Sequence, residues 1–347
     1  MRILLVVNTS ASSVTARARV VIQKSLAADH EVTVAATSRR GHATRLAQGA
    51  AARGVDAVVV LGGDGTLNEA ANGLAGTSCA LGVLPGGSTN VFARTIGMPN
   101  DPIEATGELL AALDSGAGDA HAGPGRGGIR SVGLGSVNGR RYLFHVGVGF
   151  DAAVVAQVER RSTLKRYLGQ ALFAYAALDT WIRHYERRAP HFSVELRRRD
   201  GDAVTIDDGY FAIVLNTNPY TFLGERPFDL APGTGLDTPL TAVILRSLSA
   251  ATLVGVAADA LGLGAARART GRGLHHHRRA AVVTDVVGAT LNARSGGVVP
   301  YQVDGDYLGE AAGLEFRWEP DELRLIVPHS ERPPAAGGRR LGRAAGG

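Results

Sequence analysis

Two glycine-rich turns carry the first chemical signal of this chain. Gly62-Gly63-Asp64-Gly65-Thr66-Leu67-Asn68-Glu69 follows an apolar run and opens a helical pattern. Glycine lets a backbone turn sharply and approach a ligand closely. A helix N-terminus then offers free N–H groups and a positive dipole end to a phosphate. Asp64 would repel phosphate directly, so its carboxylate reads as holding a magnesium ion or orienting one through water. Pro85-Gly86-Gly87-Ser88-Thr89-Asn90 repeats the device after the next apolar run. Its hydroxyls either cap a helix or reach a phosphate. Neither turn has the Gly-Lys-Ser/Thr of a Walker A loop or the Gly-x-Gly-x-x-Gly of a dinucleotide site. Far along the chain, Tyr301-Gln302-Val303-Asp304-Gly305-Asp306 sets two carboxylates around a glycine. One could accept the proton of an attacking hydroxyl while the other binds metal or substrate. The same tripeptide is also an ordinary turn.

The elements that must position these residues alternate in the first third of the chain. Strands are expected at Ile3–Val7, Glu31–Ala36, Val55–Leu61 and Cys79–Leu84. Helices are expected at Val14–Ala28, Gly41–Arg53, Thr66–Leu74 and Thr89–Ile96. Asp101-Pro102-Ile103-Glu104 places a capping residue, a first-turn proline and an acid in the order that starts a further helix. Strand and helix in alternation imply a parallel sheet covered on both faces, with both glycine turns at the carboxyl ends of neighbouring strands. Beyond the Gly/Ala/Pro-rich stretch 115–128 the pattern changes. Ile129–Val137 and Tyr142–Val148 read as strands joined by the hairpin signal Asn138-Gly139. Helical pattern is limited to about Ala152–Arg187 and Ala250–Leu261, so this second part is expected to be β-rich and antiparallel. The boundaries expected are 1–128 with a returning segment at about 318–330, then 129–317, then a disordered basic tail over 331–347.

Composition narrows the setting. Among 347 residues, the formal net charge of +5 is concentrated: the last seventeen residues hold four Arg and one Glu. A second basic stretch runs from Arg267 to Arg279 around His275, His276 and His277. Such patches meet anionic surfaces, or are simply solvated. No apolar run reaches the roughly 18 residues of a spanning helix. The single cysteine, Cys79, excludes an intrachain disulfide. The setting expected is the cytosol.

Together these stretches resemble the bacterial diacylglycerol kinase family of lipid kinases, whose catalytic domain is similar to those of sphingosine and ceramide kinases. The Gly-Gly-Asp-Gly-Thr turn is shared with NAD kinases. The resemblance rests on Asn8-Thr9-Ser10, Thr37 with Gly41-His42-Ala43, Gly62–Gly73, Gly86–Arg94, Gly147–Ala152, Ala231-Pro232 with Leu236-Asp237, and Val303–Asp306. It implies an N-terminal α/β domain like that of 6-phosphofructokinase, a sandwich-like β domain, and a last strand, Leu323–Val327, that returns to the first. It implies ATP contacts from Asn8, Thr9, Ser10, Thr37, Gly62, Gly63, Asp64, Gly65, Thr66, Leu67, Asn68, Glu69, Gly87, Ser88, Thr89 and Asn90. The cofactors implied are ATP and Mg2+, with Asp64 on the metal.

The family's Asp-Gly-Glu appears here as Asp304-Gly305-Asp306. Asp306 thereby inherits the role of proton acceptor, with Asp304 as the fallback. Where the family often has Leu-Asp-Asp-Gly, whose second Asp holds a structural magnesium, this chain reads Leu236-Asp237-Thr238-Pro239. A hydroxyl is a poor ligand for so hard a cation, so a metal at Asp237 is expected to be weakened or absent. The partner implied is a lipid at an anionic membrane surface, reached peripherally from the inner face. The Arg267–Arg279 stretch, the tail and Arg160, Arg161, Lys165 and Arg166 are the candidates for that contact. No nucleic acid is expected, and a homodimer is left open. The alternatives are an NAD kinase and a non-catalytic nucleotide-binding or membrane-adaptor relative.

Overall fold

The computed structural model describes residues 1–11, 13–115, 127–160, 189–263 and 279–329. Arg161, Lys165, Arg166, the basic stretch up to Arg278 and the tail lie outside the described residues.

Four short strands build the first part: β1 (Arg2–Val7), β2 (Glu31–Ala36), β3 (Ala57–Gly62) and β4 (Ala80–Pro85). All pair in parallel, in the order β2-β1-β3-β4. Every residue of β3 and β4 is buried, which explains their unbroken Val/Leu/Ala runs: a parallel strand with helices over both faces has no polar side. Helices α1 (Ala16–Ala27), α2 (His42–Ala52), α3 (Asp64–Leu74), α4 (Val91–Thr95) and α5 (Pro102–Ser115) connect and cover them. Asp101 Oδ1 caps α5 by accepting from the N–H groups of Ile103 and Glu104 at 2.8 and 3.0 Å, as the sequence implied.

The chain then becomes β-rich. The strands are β5 (Gly128–Val137), β6 (Arg140–Tyr142), β7 (His145–Gly149), β8 (Phe192–Arg198), β9 (Ala203–Gly209), β10 (Phe211–Leu215), β11 (Thr221–Leu223), β12 (Arg226–Phe228), β13 (Leu240–Leu245), β14 (Ala280–Ala293), β15 (Val299–Val303), β16 (Asp306–Ala311) and β17 (Gly313–Val327). The described helices here are α6 (Phe150–Arg160) and α7 (Ala250–Ala260). Their pairing is antiparallel. β17 crosses between the two regions. It pairs with β14 and β5, and Leu325 then meets Leu81 of β4 in parallel, so one continuous sheet runs from β2 to β16.

Two boundaries differ from the sequence reading in a way that matters. α3 begins at Asp64, two residues earlier than expected, because Gly63 in extended conformation serves as its N-cap and no side chain caps it. The run Tyr142–Val148, expected as one strand, breaks at Leu143-Phe144. The N–H groups of both residues turn to the Asp304 carboxylate instead of joining a ladder.

Candidate active site

The loops after β1, β2, β3 and β4 lie at the carboxyl ends of the parallel strands, the edge where open α/β sheets bind ligands. The two glycine turns meet there backbone to backbone. A side chain on Gly86 would sit 2.9 Å from the Cα of Gly62, and one on Gly87 would sit 2.9 Å from the Cα of Gly63. These glycines are therefore required by each other as well as by any ligand. The Gly86 N–H donates to the Gly62 carbonyl at 2.9 Å. The first segment folds onto the same place: Ser13 donates from Oγ to the Gly87 carbonyl, and Asn8 Nδ2 donates to Thr66 Oγ1 at 2.8 Å.

The mouth of this edge carries Thr9, Ser10 and Ser88, all exposed, and Thr37 and Thr89, half-buried, and the N-terminus of α3 there has no side-chain cap. Free N–H groups at a helix N-terminus suit an anionic group.

Several residues expected at the ligand are instead committed to the frame. Asn90 sits at φ 49°, buried. Its Oδ1 accepts from the Gly87 N–H and its Nδ2 donates to Asn100, so it shapes the second turn. Glu69 spends both carboxylate oxygens on the N–H groups of Gly41 and Ala43, at 2.7 and 3.1 Å, and thus fastens the loop after β2. Leu67 is buried in the core. Asn68 is buried and bonded to Asp304, Arg140 and the Arg141 carbonyl.

Asp64 accepts the N–H groups of Val91 and Phe92 at 3.0 and 3.1 Å, one on each carboxylate oxygen, so it anchors the start of α4. Burial raises its pKa despite those two bonds, and neighbouring Asp306 pushes the same way.

The two acidic candidates at the other end of the chain part company. Asp304 and Gly305, at φ 49° and 81°, are the two turn residues between β15 and β16, with Val303 paired to Asp306. This is the twisted two-residue turn that Asp-Gly favours, and Asn138-Gly139 forms the same turn between β5 and β6. The turn sends Asp304 inward. Its Oδ2 accepts from Asn68 Nδ2 and the Leu143 N–H, both at 2.7 Å, and its Oδ1 from the N–H groups of Phe144 and His145 at 3.0 and 3.1 Å. Burial raises its pKa to about 6 against those four bonds. With every strong acceptor direction occupied, Asp304 is not placed to receive a substrate proton, which corrects its reading as the fallback base.

Asp306 faces the mouth. Its carboxylate lies about 3.5 Å from where a side chain on Gly65 would begin, over the first turn of α3. Arg40, a residue that motif reading passed over, approaches Asp306 Oδ1 at 3.6 Å. Its only sequence signal was its place next to Gly41-His42.

No three His, Cys, Asp or Glu side chains among the described residues cluster as a metal cage. A catalytic magnesium fits only as a companion of bound phosphates, with Asp64 and Asp306 the carboxylates at hand. The family's structural magnesium does not fit. Asp237 pairs with Arg130 Nη1 at 2.5 Å, and Thr238 Oγ1 bonds back to the N–H and carbonyl of Gly235. Asp237 is thus neutralised by a guanidinium, and Thr238 is occupied by its own turn.

Comparison with known proteins agrees with this geometry. Residues 2–117 match the diacylglycerol kinase catalytic domain family. The diacylglycerol kinase of Bacillus subtilis is 35% identical over 161 residues, 46% of this chain and 48% of that protein, so the chain spans about half of that relative. A Pseudomonas aeruginosa protein named "Probable lipid kinase YegS-like" is 30% identical over 64% of this chain and 74% of its own length. A crystal structure of a diacylglycerol kinase from Bacillus anthracis superposes with a TM-score of 0.62, covering 94% of this chain and 96% of that one at 20% identity, which is a likeness of fold. The class that the fold and the matched region define is that of proteins carrying a diacylglycerol kinase catalytic domain. Within it, the chain belongs to the bacterial diacylglycerol kinase and YegS-like lipid kinase family.

Proposed function

We propose that the protein is an ATP-dependent lipid kinase. It moves the γ-phosphate of ATP to the free hydroxyl of diacylglycerol or a related lipid, giving phosphatidate or its analogue. The observation that carries this reading is Asp306, an acceptor-only carboxylate held over the N-terminal turn of α3, where glycine backbones and hydroxyls converge. The alcohol oxygen bonds to the γ-phosphorus, its proton passes to Asp306, and the bond to the bridging oxygen breaks to release ADP. Magnesium bound with the nucleotide would offset phosphate charge.

Glu69, Asn90, Asn68 and Asp304 act by holding loops. Their rigidity keeps acceptor and donor aligned, which is most of what phosphoryl transfer asks of a protein. We further propose that the enzyme meets its lipid at the surface of an anionic bilayer; no helix among the described residues is long and apolar enough to cross a membrane.

A transfer assay with γ-labelled ATP tests this, with diacylglycerol, ceramide, undecaprenol and NAD as separate acceptors. Label is expected in a lipid. Label in NAD alone, or in no acceptor while ATP binds, would overturn the reading.

A further inference from the structure

We propose that Arg40 is a phosphate-binding residue of this site, exchanging its approach to Asp306 for the terminal phosphate when ATP binds. The inference rests on the kinase reading above and adds a residue to it.

The Asp306 carboxylate stands over the first turn of α3, the region that must hold the phosphates, and it pushes the pKa of the nearby buried Asp64 upward through space. Negative charge on the protein beside negative charge on the ligand needs a cation between them. Two arginines near these loops are already committed. Arg94 Nη2 donates to the Gly224 carbonyl and pairs with Glu225, and Arg140 Nη2 donates to Asn68 Oδ1.

Arg40 differs from both. Its side chain is 69% exposed and forms an ion pair with Asp306 at 3.6 Å, too long for a hydrogen bond. An exposed pair of this kind holds its partners loosely.

The backbone beneath it is not loose. Glu69 fastens Gly41 and Ala43 on its C-terminal side, and Thr37 N–H bonds to the Val7 carbonyl on the other. Arg40 is thus a long cationic arm on a rigid base. The carboxylate it approaches lies about 3.5 Å from where a side chain on Gly65 would begin, over the N-terminus of α3, so a short rotation brings the guanidinium to a phosphate there. A guanidinium pairs with two phosphate oxygens at once, a geometry the single long contact to Asp306 does not satisfy. Its departure frees Asp306 to accept the hydroxyl proton, so one movement binds the donor and releases the base.

The test compares nucleotides that differ by one phosphate. Binding of ADP and of a non-hydrolysable β,γ-imido triphosphate is measured by calorimetry for the parent, Arg40→Met and Arg40→Lys, alongside kcat and KM for ATP. In Arg40→Met, triphosphate affinity should fall roughly tenfold and kcat by about 10- to 100-fold, with ADP affinity within about twofold of the parent. Arg40→Lys should recover part of the affinity because it keeps the charge but not the fork. Equal losses for both nucleotides, or none, overturn the assignment while leaving the kinase reading intact. A parent that binds neither nucleotide overturns both.

Discussion

Asp304 and Asp306 are two residues apart and chemically alike, yet they should answer mutation in opposite ways. Asp304 accepts four hydrogen bonds in the interior. In Asp304→Asn, one oxygen becomes an amide that faces donors, and each buried donor left unpaired costs about 1–3 kcal/mol. Stability should fall by at least that amount in urea unfolding, with any activity loss following the loss of folded protein. Asp306 is half-exposed at the mouth. Asp306→Asn should keep parental stability and lower kcat by about 10²- to 10⁴-fold, the usual worth of a positioned base. Asp306→Glu should retain activity. An inactive Asp304→Asn that unfolds like the parent would reverse the two assignments.

His145 makes a pH prediction at the same scale. It is buried between Phe144 and Tyr220 with Nδ1 unpartnered, and burial lowers its pKa from 6.5 to about 3. The unfolded chain therefore binds this proton first, and the histidine costs stability as pH falls from 6.5 toward 3. Asp304 works the other way: its folded pKa, about 6, lies above the unfolded 3.8, so protonation between those values favours the fold. The difference between His145→Phe and the parent isolates the histidine. It should shift by about 2 kcal/mol in favour of the variant between pH 7 and pH 5, at 1.36 kcal/mol per pH unit below 6.5. A pH-independent difference would mean His145 is not buried neutral.

Among elements, the pair α2 and α3 decides where the loop after β2 stands. The two helices approach so closely at Gly73 that an added side chain would meet the Thr44 carbonyl at 2.5 Å and Ala47 Cβ at 2.8 Å. Thr44 Oγ1 also donates to the Glu69 carbonyl. Gly73→Ala should gain a little helix propensity but lose more by forcing the helices apart, for a net cost of about 1–3 kcal/mol. The same shift should raise KM for ATP, because Thr37 and Arg40 ride on the displaced loop. A parental unfolding midpoint and KM would show that the helices separate without cost. On its other side α3 is stitched to the β5–β6 hairpin: Asn72 donates to the Arg141 carbonyl and accepts the Arg141 N–H. One helix thus sets the phosphate turn, the loop latch and the carboxylate turn together.

Across the whole molecule, β17 makes the two regions share one sheet, and the Arg130–Asp237 pair ties the loop before β13 to β5. The pair gives Asp237 a positive partner from within the protein. Removing divalent ions from the nucleotide-free protein should therefore leave its thermal midpoint unchanged. A midpoint that rises with added magnesium, and loses that rise in Asp237→Asn, would show that Asp237 binds metal after all.

Sequence alone determined what depends on neighbours along the chain. The alternation of apolar runs and helical segments marked the parallel sheet, Asp101-Pro102 marked the start of α5, and Asn138-Gly139 marked a hairpin. The glycine turns were legible as sharp turns at strand ends because their geometry is local. What the tertiary structure decided was which polar groups remain free. Asp304 meets Asn68 across 236 positions, Asp64 meets Val91 and Phe92 across 27 and 28, and Glu69 reaches back to Gly41 across 28. A carboxylate at a glycine turn looks the same in sequence whether it faces a ligand or an amide. Only packing decides whether such a carboxylate is surrounded by donors, as Asp304 is, or left partly open, as Asp306 is, and the same packing brought Arg40 to Asp306.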